Sequence, residues 1–251
     1  MGSHLFLSPH LDDAVLSCGA YISKLLKEGE SVKVITLFTG CPPEDEISTA
    51  AKRFHEECGV GPEPIKFRCE EDVAAMRYLG CEFRHAGFYE CLYRKNDSGE
   101  FIYPDLENIY HLEIEMEQSF MDVVEKDIFE ATKGFDQIYA PLGIGNHADH
   151  LLIRRIVEKI SSKLGKKTLF YQDFPYEVNS SDRPKIEVNG HSPNTVVELS
   201  QEDVETKIHA IKLYESQIHI LFDDENDMER CVYRHSRECD GRYAYSICFY
   251  A

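Results

Sequence analysis

Strand and helix patterns alternate along this chain, and the alternation predicts an α/β fold on an open, mostly parallel sheet flanked by helices. Three observations carry the prediction. A short apolar run, Leu5–Leu7, stops at Pro9. A helical pattern follows to about Lys27, with Ala14, Leu16, Ala20, Ile22, Leu25 and Leu26 as apolar positions, Asp12 or Asp13 as its cap and Gly29 as its stop. The β-branched run "VKVITLF", Val32–Phe38, comes next and ends at Gly40 and Pro42–Pro43. Strand, helix, strand opens a βαβ unit, and such units build parallel sheets.

The later elements continue the pattern. Ile47–Cys58 and Glu70–Leu79 read as helices, and "CEFRHAGF", Cys81–Phe88, as a third strand. Asn96–Asp105 is a polar insertion with Gly99 and Pro104, and Leu112–Thr132 is helical, in one piece or two. "DQIYAPLG", Asp136–Gly143, is a fourth strand ending in a glycine loop; Asn146 then leads into a helix to about Leu164. "TLFYQDF", Thr168–Phe174, is a fifth strand. Beyond Pro175 the alternation loosens. Asn179–Asn194 is polar and turn-rich, "TVVEL" is a strand, Gln201–Tyr214 a helix and "YAYSICFY", Tyr243–Tyr250, a last strand. The charged run Asp223–Arg230 reads as a solvated loop or helix start. One domain over 1–251 is expected, with a core of about 4–174 and a smaller C-terminal α+β extension, 175–251, that shapes a pocket.

Composition excludes several function classes. Lysine and arginine total 27 against 45 acidic residues, a net charge of -18, with no basic stripe, so nucleic acid is not the expected ligand. No run approaches the ~20 apolar residues of a membrane helix, and the first residues carry no secretion signal. Nine cysteines without CxxC pairs predict reduced thiols in a cytoplasmic protein rather than a zinc ribbon or disulfide framework. Neither GxGxxG nor GxxxxGK[ST] is present, so dinucleotide and P-loop readings lose their support.

What occupies the first strand-to-helix turn instead is "SPHLDD". In open α/β sheets ligands bind beyond the carboxyl ends of the strands, where His10, Asp12 and Asp13 would lie. Two adjacent carboxylates stay ionised together when a cation is near. His10 and Asp13 are three apart, on one side of a helix start, and Asp12 projects elsewhere. After the fourth strand, "GIGNHADHLLIRR" carries His147, Asp149 and His150 at the corresponding place. If the two strands are neighbours, the groups converge. Two histidines and one carboxylate with an open position suit a catalytic divalent metal, and a spare aspartate and histidine remain for proton transfer.

These residues carry a resemblance. Pro9-His10-Leu11-Asp12-Asp13 is similar to the PHxDD signature of the PIG-L/LmbE-like zinc N-deacetylases, and His147-Ala148-Asp149-His150 resembles that family's HxDH motif. "TLFTG", "RCEEDVAAMRYLG" and "LFYQDFPY" extend the likeness over most of the chain. It implies a Rossmann-like sheet and a zinc-dependent N-deacetylase, a hydrolase of linear amides. His10, Asp13 and His150 are implied as metal ligands, Asp12 as the general base, His147 as the second acid/base or oxyanion-stabilising group, and Asp149 as the carboxylate that orients a histidine. Arg68, Glu71 and Asp173 are implied at the substrate pocket, with Tyr176 near its mouth. Zn2+ is the implied cofactor and Fe2+ suits the same ligands. The implied partner is a small N-acetylated amino sugar or glycoside, without membrane insertion; a homo-oligomer is compatible with the chain. Where some relatives carry a tyrosine two residues before HxDH, this chain has Gly145. Two alternatives stand beside this reading: a mononuclear non-haem Fe(II) oxygenase, and a non-catalytic, metal-stabilised sugar-binding module.

Overall fold

The structure is a computed structural model that describes residues 1–43, 46–59, 63–176, 195–237 and 245–250. A single seven-stranded sheet runs through it. β1 (Ser3–Ser8) leads into α1 (Asp13–Lys27) and β2 (Ser31–Phe38). Two helices, α2 (Thr49–Cys58) and α3 (Pro64–Leu79), precede β3 (Glu82–Phe88). Then come α4 (Ile114–Thr132), β4 (Gln137–Pro141), α5 (Ala148–Leu164) and β5 (Lys167–Tyr171). The last elements are β6 (Thr195–Glu198), α6 (Gln201–Ile211), α7 (Glu215–Leu221), α8 (Glu225–Arg237) and β7 (Ser246–Tyr250).

The strand order is β3-β2-β1-β4-β5-β7-β6. The first five strands are parallel, and β7 is antiparallel to both of its neighbours. Chain order therefore reverses at β1, which pairs with β2 on one side (Leu5 opposite Lys33) and β4 on the other (Leu5 opposite Ile138). At such a reversal the loops above the two central strands diverge and leave a crevice. Both motif-bearing turns rise from this crevice.

Strand alternation splits the core in two. Phe6 and Val34 face a layer with α1, α3, α6 and α8, whereas Leu5, Leu7, Ile35 and Leu37 face α2, α4 and α5. β1 is buried on both sides, which is why it reads as a continuous apolar run.

Several boundaries differ from expectation. α3 begins at Pro64 rather than Glu70, since proline at the first helical position costs no hydrogen bond. Within Leu112–Thr132 a single helix of 19 residues forms, Ile114–Thr132. β5 stops at Tyr171, and the chain turns through a cis Phe174–Pro175 bond. The charged run leads into α8, whose buried positions Met228, Cys231, Val232 and Ser236 follow helical spacing along one face of an otherwise charged helix. Asn179–Asn194 and the start of Tyr243–Tyr250 lie outside the described residues. Among the described residues seven cysteines are free, but Cys248 on β7 is disulfide-bonded, so the expectation of reduced thiols fails there. No helix among the described residues is long and apolar enough to cross a membrane.

Candidate active site

The first turn is fastened by a residue outside the motif. Ser8 Oγ donates to the His10 carbonyl (2.8 Å) and accepts from Ala14 N–H (2.9 Å). Asp12, at the N-cap position of α1, makes no side-chain cap bond. Asp13 Oδ2 accepts from His10 N–H at 2.8 Å, which folds the turn back on itself. The expectation that an aspartate caps α1 is thus corrected: serine does that work, and Asp12 is left free for the crevice.

The second turn is built differently. Gly143, Gly145 and Asn146 have φ of +81°, +88° and +62°. The reversal they make brings His147 to the N-cap of α5, where its Nδ1 accepts from Asp149 N–H at 3.3 Å. A Cβ on Gly145 would lie 3.2 Å from the Tyr176 ring. Tyr176 thus fills the space above Gly145, and its ring stands perpendicular to His150 at 5.9 Å.

Three ligand atoms from the two turns form a small triangle. His10 Nδ1 is 3.1 Å from Asp13 Oδ2, which is 3.2 Å from His150 Nε2, which is 3.3 Å from His10 Nδ1. Ligands held ~2.0–2.1 Å from a tetrahedral zinc lie roughly 3.3 Å from each other, so the triangle fits such an ion. The remaining nitrogen of each histidine meets a carboxylate. His10 Nε2 lies 2.9 Å from Asp149 Oδ2, and His150 Nδ1 lies 2.6 Å from Asp173 Oδ1. Donation to those carboxylates leaves a lone pair on the nitrogen that faces the triangle. Ligand atoms of His147 also lie within 4.8 Å of those of His10 and His150.

The electrostatics divide the groups. Burial opposes charge on Asp13, yet His150 and His10 hold it well below the usual carboxylate range. Burial and the neighbouring Asp13 push Asp12 up to about 7, against the pull of Arg68, whose Nη2 lies 3.7 Å from Asp12 Oδ2. Apolar side chains of α6 and α7, among them Ile211, Ile218 and Leu221, complete the wall around Asp12. Burial disfavours a charged His150, but Asp13 and Asp173 raise it to about 10; His10 is raised in the same way by Asp13 and Asp149. Burial and the charge on His10 drive His147 well below the ordinary histidine value. Two protons on His10 and His150 supply the positive charge that a divalent cation brings when it displaces them.

Of the residues singled out in the sequence, His10, Asp12, Asp13, His147, Asp149, His150 and Arg68 come together. Asp173 sits behind His150 and also accepts from Ile144 N–H (2.8 Å). Glu71 does not join the cluster: its two oxygens accept the N–H and hydroxyl of Ser216 at 2.8 and 2.6 Å. Sequence reasoning missed Glu90, a buried carboxylate two residues past β3, whose ligand atom lies within 4.8 Å of those of His10, His147 and Asp149. The edge rule that found the two turns points to it as well, since it also leaves the carboxyl end of a strand.

A family model described as PIG-L: GlcNAc-PI de-N-acetylase matches residues 5–161. A 2'-N-acetylparomamine deacetylase of Streptomyces fradiae is 28% identical over 243 residues, 94% of this chain and 78% of that protein. The protein of the same name from Niallia circulans is 27% identical over 184 residues; the match spans 68% of this chain and 66% of that protein. The zinc-inhibited form of teicoplanin deacetylase Orf2 superposes with a TM-score of 0.86 at 26% identity, covering 99% of this chain and 97% of that one.

Proposed function

Because the chain belongs to the PIG-L family of GlcNAc-PI de-N-acetylases, we propose that it is a metal-dependent deacetylase, a hydrolase that removes the N-acetyl group from an N-acetylglucosamine-type sugar or glycoconjugate. One observation carries the reading: the triangle of His10 Nδ1, Asp13 Oδ2 and His150 Nε2, with Asp12 free beside it. His10, Asp13 and His150 would hold the metal, by default zinc, with Fe2+ suited to the same donors. A divalent ion held there would lower the pKa of water to ~7 and polarise an amide carbonyl.

The chain's own residues do the rest. Asp12 accepts the proton of the attacking water; a carboxylate raised towards neutrality suits a general base at that pH. Arg68 beside it keeps the carboxylate aimed and charged in the absence of proton. His147 is neutral, and with its Nδ1 accepting from the backbone its Nε2 carries the proton. That N–H is the donor for the negative oxygen that develops on the amide carbon. The C–N bond then breaks, Asp12 returns its proton to the leaving nitrogen, and acetate and a free amine result. Asp149 and Asp173 hold His10 and His150 in their ligand tautomers. For Asp173 we therefore propose an orienting role in place of substrate contact, and for Glu71 a role in fastening α7. The whole chain forms one deacetylase domain, in which α7 of the extension walls Asp12. The relatives' names direct the substrate towards acetylated amino-sugar units of glycoside natural products.

The test is metal content together with acetate release from a panel of N-acetylated amino sugars and glycosides, wild type against Asp12→Ala. About one metal per chain and release by the wild type alone support the reading. Metal without release, but with oxygen consumption in the iron form, turns the site to oxygenase chemistry. Metal with neither leaves a binding module.

A further inference from the structure

Behind the ligand His10 lies a buried chain of charges that starts at Asp149 of the second motif and runs on through residues outside both motifs. Asp149, whose Oδ2 meets His10 Nε2 and the Cys91 N–H (3.0 Å), receives on its other oxygen the Arg94 Nη1 at 2.6 Å. Arg94 Nε donates to Glu117 Oε1 on α4 at 2.9 Å. Asp149 and Glu117 are fully buried, and Arg94 is 5% exposed. With both its oxygens occupied, Asp149 cannot rotate away from His10.

Stability alone does not explain this arrangement. One guanidinium serves two buried carboxyl groups. Glu117 Oε2 is buried with no hydrogen-bond partner. Buried ion pairs are often matched or exceeded in stability by apolar groups of similar volume, and an orphaned buried oxygen is a further cost. The arrangement is also specific to arginine. Its fork reaches Asp149 from one nitrogen and Glu117 from another, which a lysine point charge cannot do. The Phe120 ring, 4.7 Å from the guanidinium carbon, fixes the plane of the fork.

We infer that Arg94 and Glu117 are positioning residues for the metal centre: Glu117 fixes the Arg94 fork, the fork fixes Asp149, and Asp149 holds His10 with Nδ1 open to the ion. This inference rests on the metal-dependent reading of the site.

The experiment measures zinc affinity of the full chain by competition with a chromogenic chelator, alongside the melting temperature of the metal-free protein. Wild type, Arg94→Gln, Arg94→Lys and Glu117→Gln are compared. Changes behind a metal-bound histidine typically cost 10–100-fold in affinity. Arg94→Gln is expected to weaken zinc by about that factor, and Arg94→Lys and Glu117→Gln each by about 10-fold, the lower edge of the same range. A cavity of about 550 Å3 lined by Arg94, Glu117 and Phe120 opens onto the fork. Millimolar guanidinium is therefore expected to restore zinc binding to Arg94→Ala. Variants that melt lower but bind zinc as tightly as wild type would reduce the fork to a structural ion pair and overturn the inference. Should Arg94→Gln fail to fold, Glu117→Gln and Arg94→Lys decide the matter in the same way. A wild type that binds no zinc brings down the metal-dependent reading itself, a result distinct from tight binding by all variants.

Discussion

The two turns at the crevice hold similar residues but solve different problems. In the first, two aspartates stand side by side, and the environment separates them: Asp13 is held well below the carboxylate range and Asp12 is pushed up to about 7. In the second, two histidines three apart are separated in the same way, His150 raised to about 10 and His147 driven well down. Each turn thus offers one member whose donor atom stands in the triangle and one beside it that is free for proton transfer or hydrogen bonding. A pair of like groups with pKa values pushed apart is how one site does acid and base chemistry at one pH. The turns differ in what fixes them. Ser8 fastens the first from outside the motif, whereas the second is capped by His147 itself and bent by left-handed residues.

The largest expected effect breaks the ligand half of the comparison. His150→Ala and Asp13→Ala should both purify without metal, and a chelator should abolish wild-type turnover until zinc is restored. A chelated protein that still turns over would remove the ion from the chemistry. Next comes the proton-transfer half. Asp12→Asn should keep its metal and lose ~10²–10⁴-fold in kcat; equal metal and equal rate would exclude Asp12 as the base. In the wild type, Asp12 accepts a proton only when ionised, so kcat/KM should fall about tenfold per pH unit below its pKa. Burial and Asp13 set that pKa near 7, and a bound cation lowers it, so the acid limb should have its midpoint at or below about 7. His147→Gln should cost ~10²–10³-fold in kcat with little change in zinc affinity, as loss of an oxyanion donor does. Smallest is the scaffold. Ser8→Ala removes a buried cap and should cost roughly 1–2 kcal/mol in urea unfolding, with the metal retained.

The sequence carries the two turns well because each is marked locally. Polar residues follow directly on apolar strands, and that contrast survives without knowledge of the fold. The neighbourhood of β1 and β4, the condition for the turns to meet, follows from the parallel topology but is fixed only by the pairing of Leu5 with Ile138. Other parts of the site have no local mark. Glu71 stands three residues from Arg68, and helical spacing groups them; Ser216, 145 residues later in the chain, is what its oxygens meet instead. Asp173 looks like a loop residue until His150 is seen 2.6 Å away. Arg94 comes from the stretch between the third strand and the polar insertion, and Glu117 from a helix; neither has a local mark, and only three-dimensional convergence buries them. α7 is too short to show an apolar period, and in α8 the charges at its start overshadow buried positions that do follow helical spacing.

The ligand triangle has a consequence for the provenance of any sample. His10 and Asp13 are bound to each other through the backbone, and each histidine is oriented from behind by a carboxylate, so the donors are already gathered. Filling such a site demands little ordering of the chain. It discriminates among first-row ions by ligand type and local supply more than by refolding around one of them. Protein grown in iron-rich and zinc-rich media should therefore be isolated as two different metalloforms of one fold.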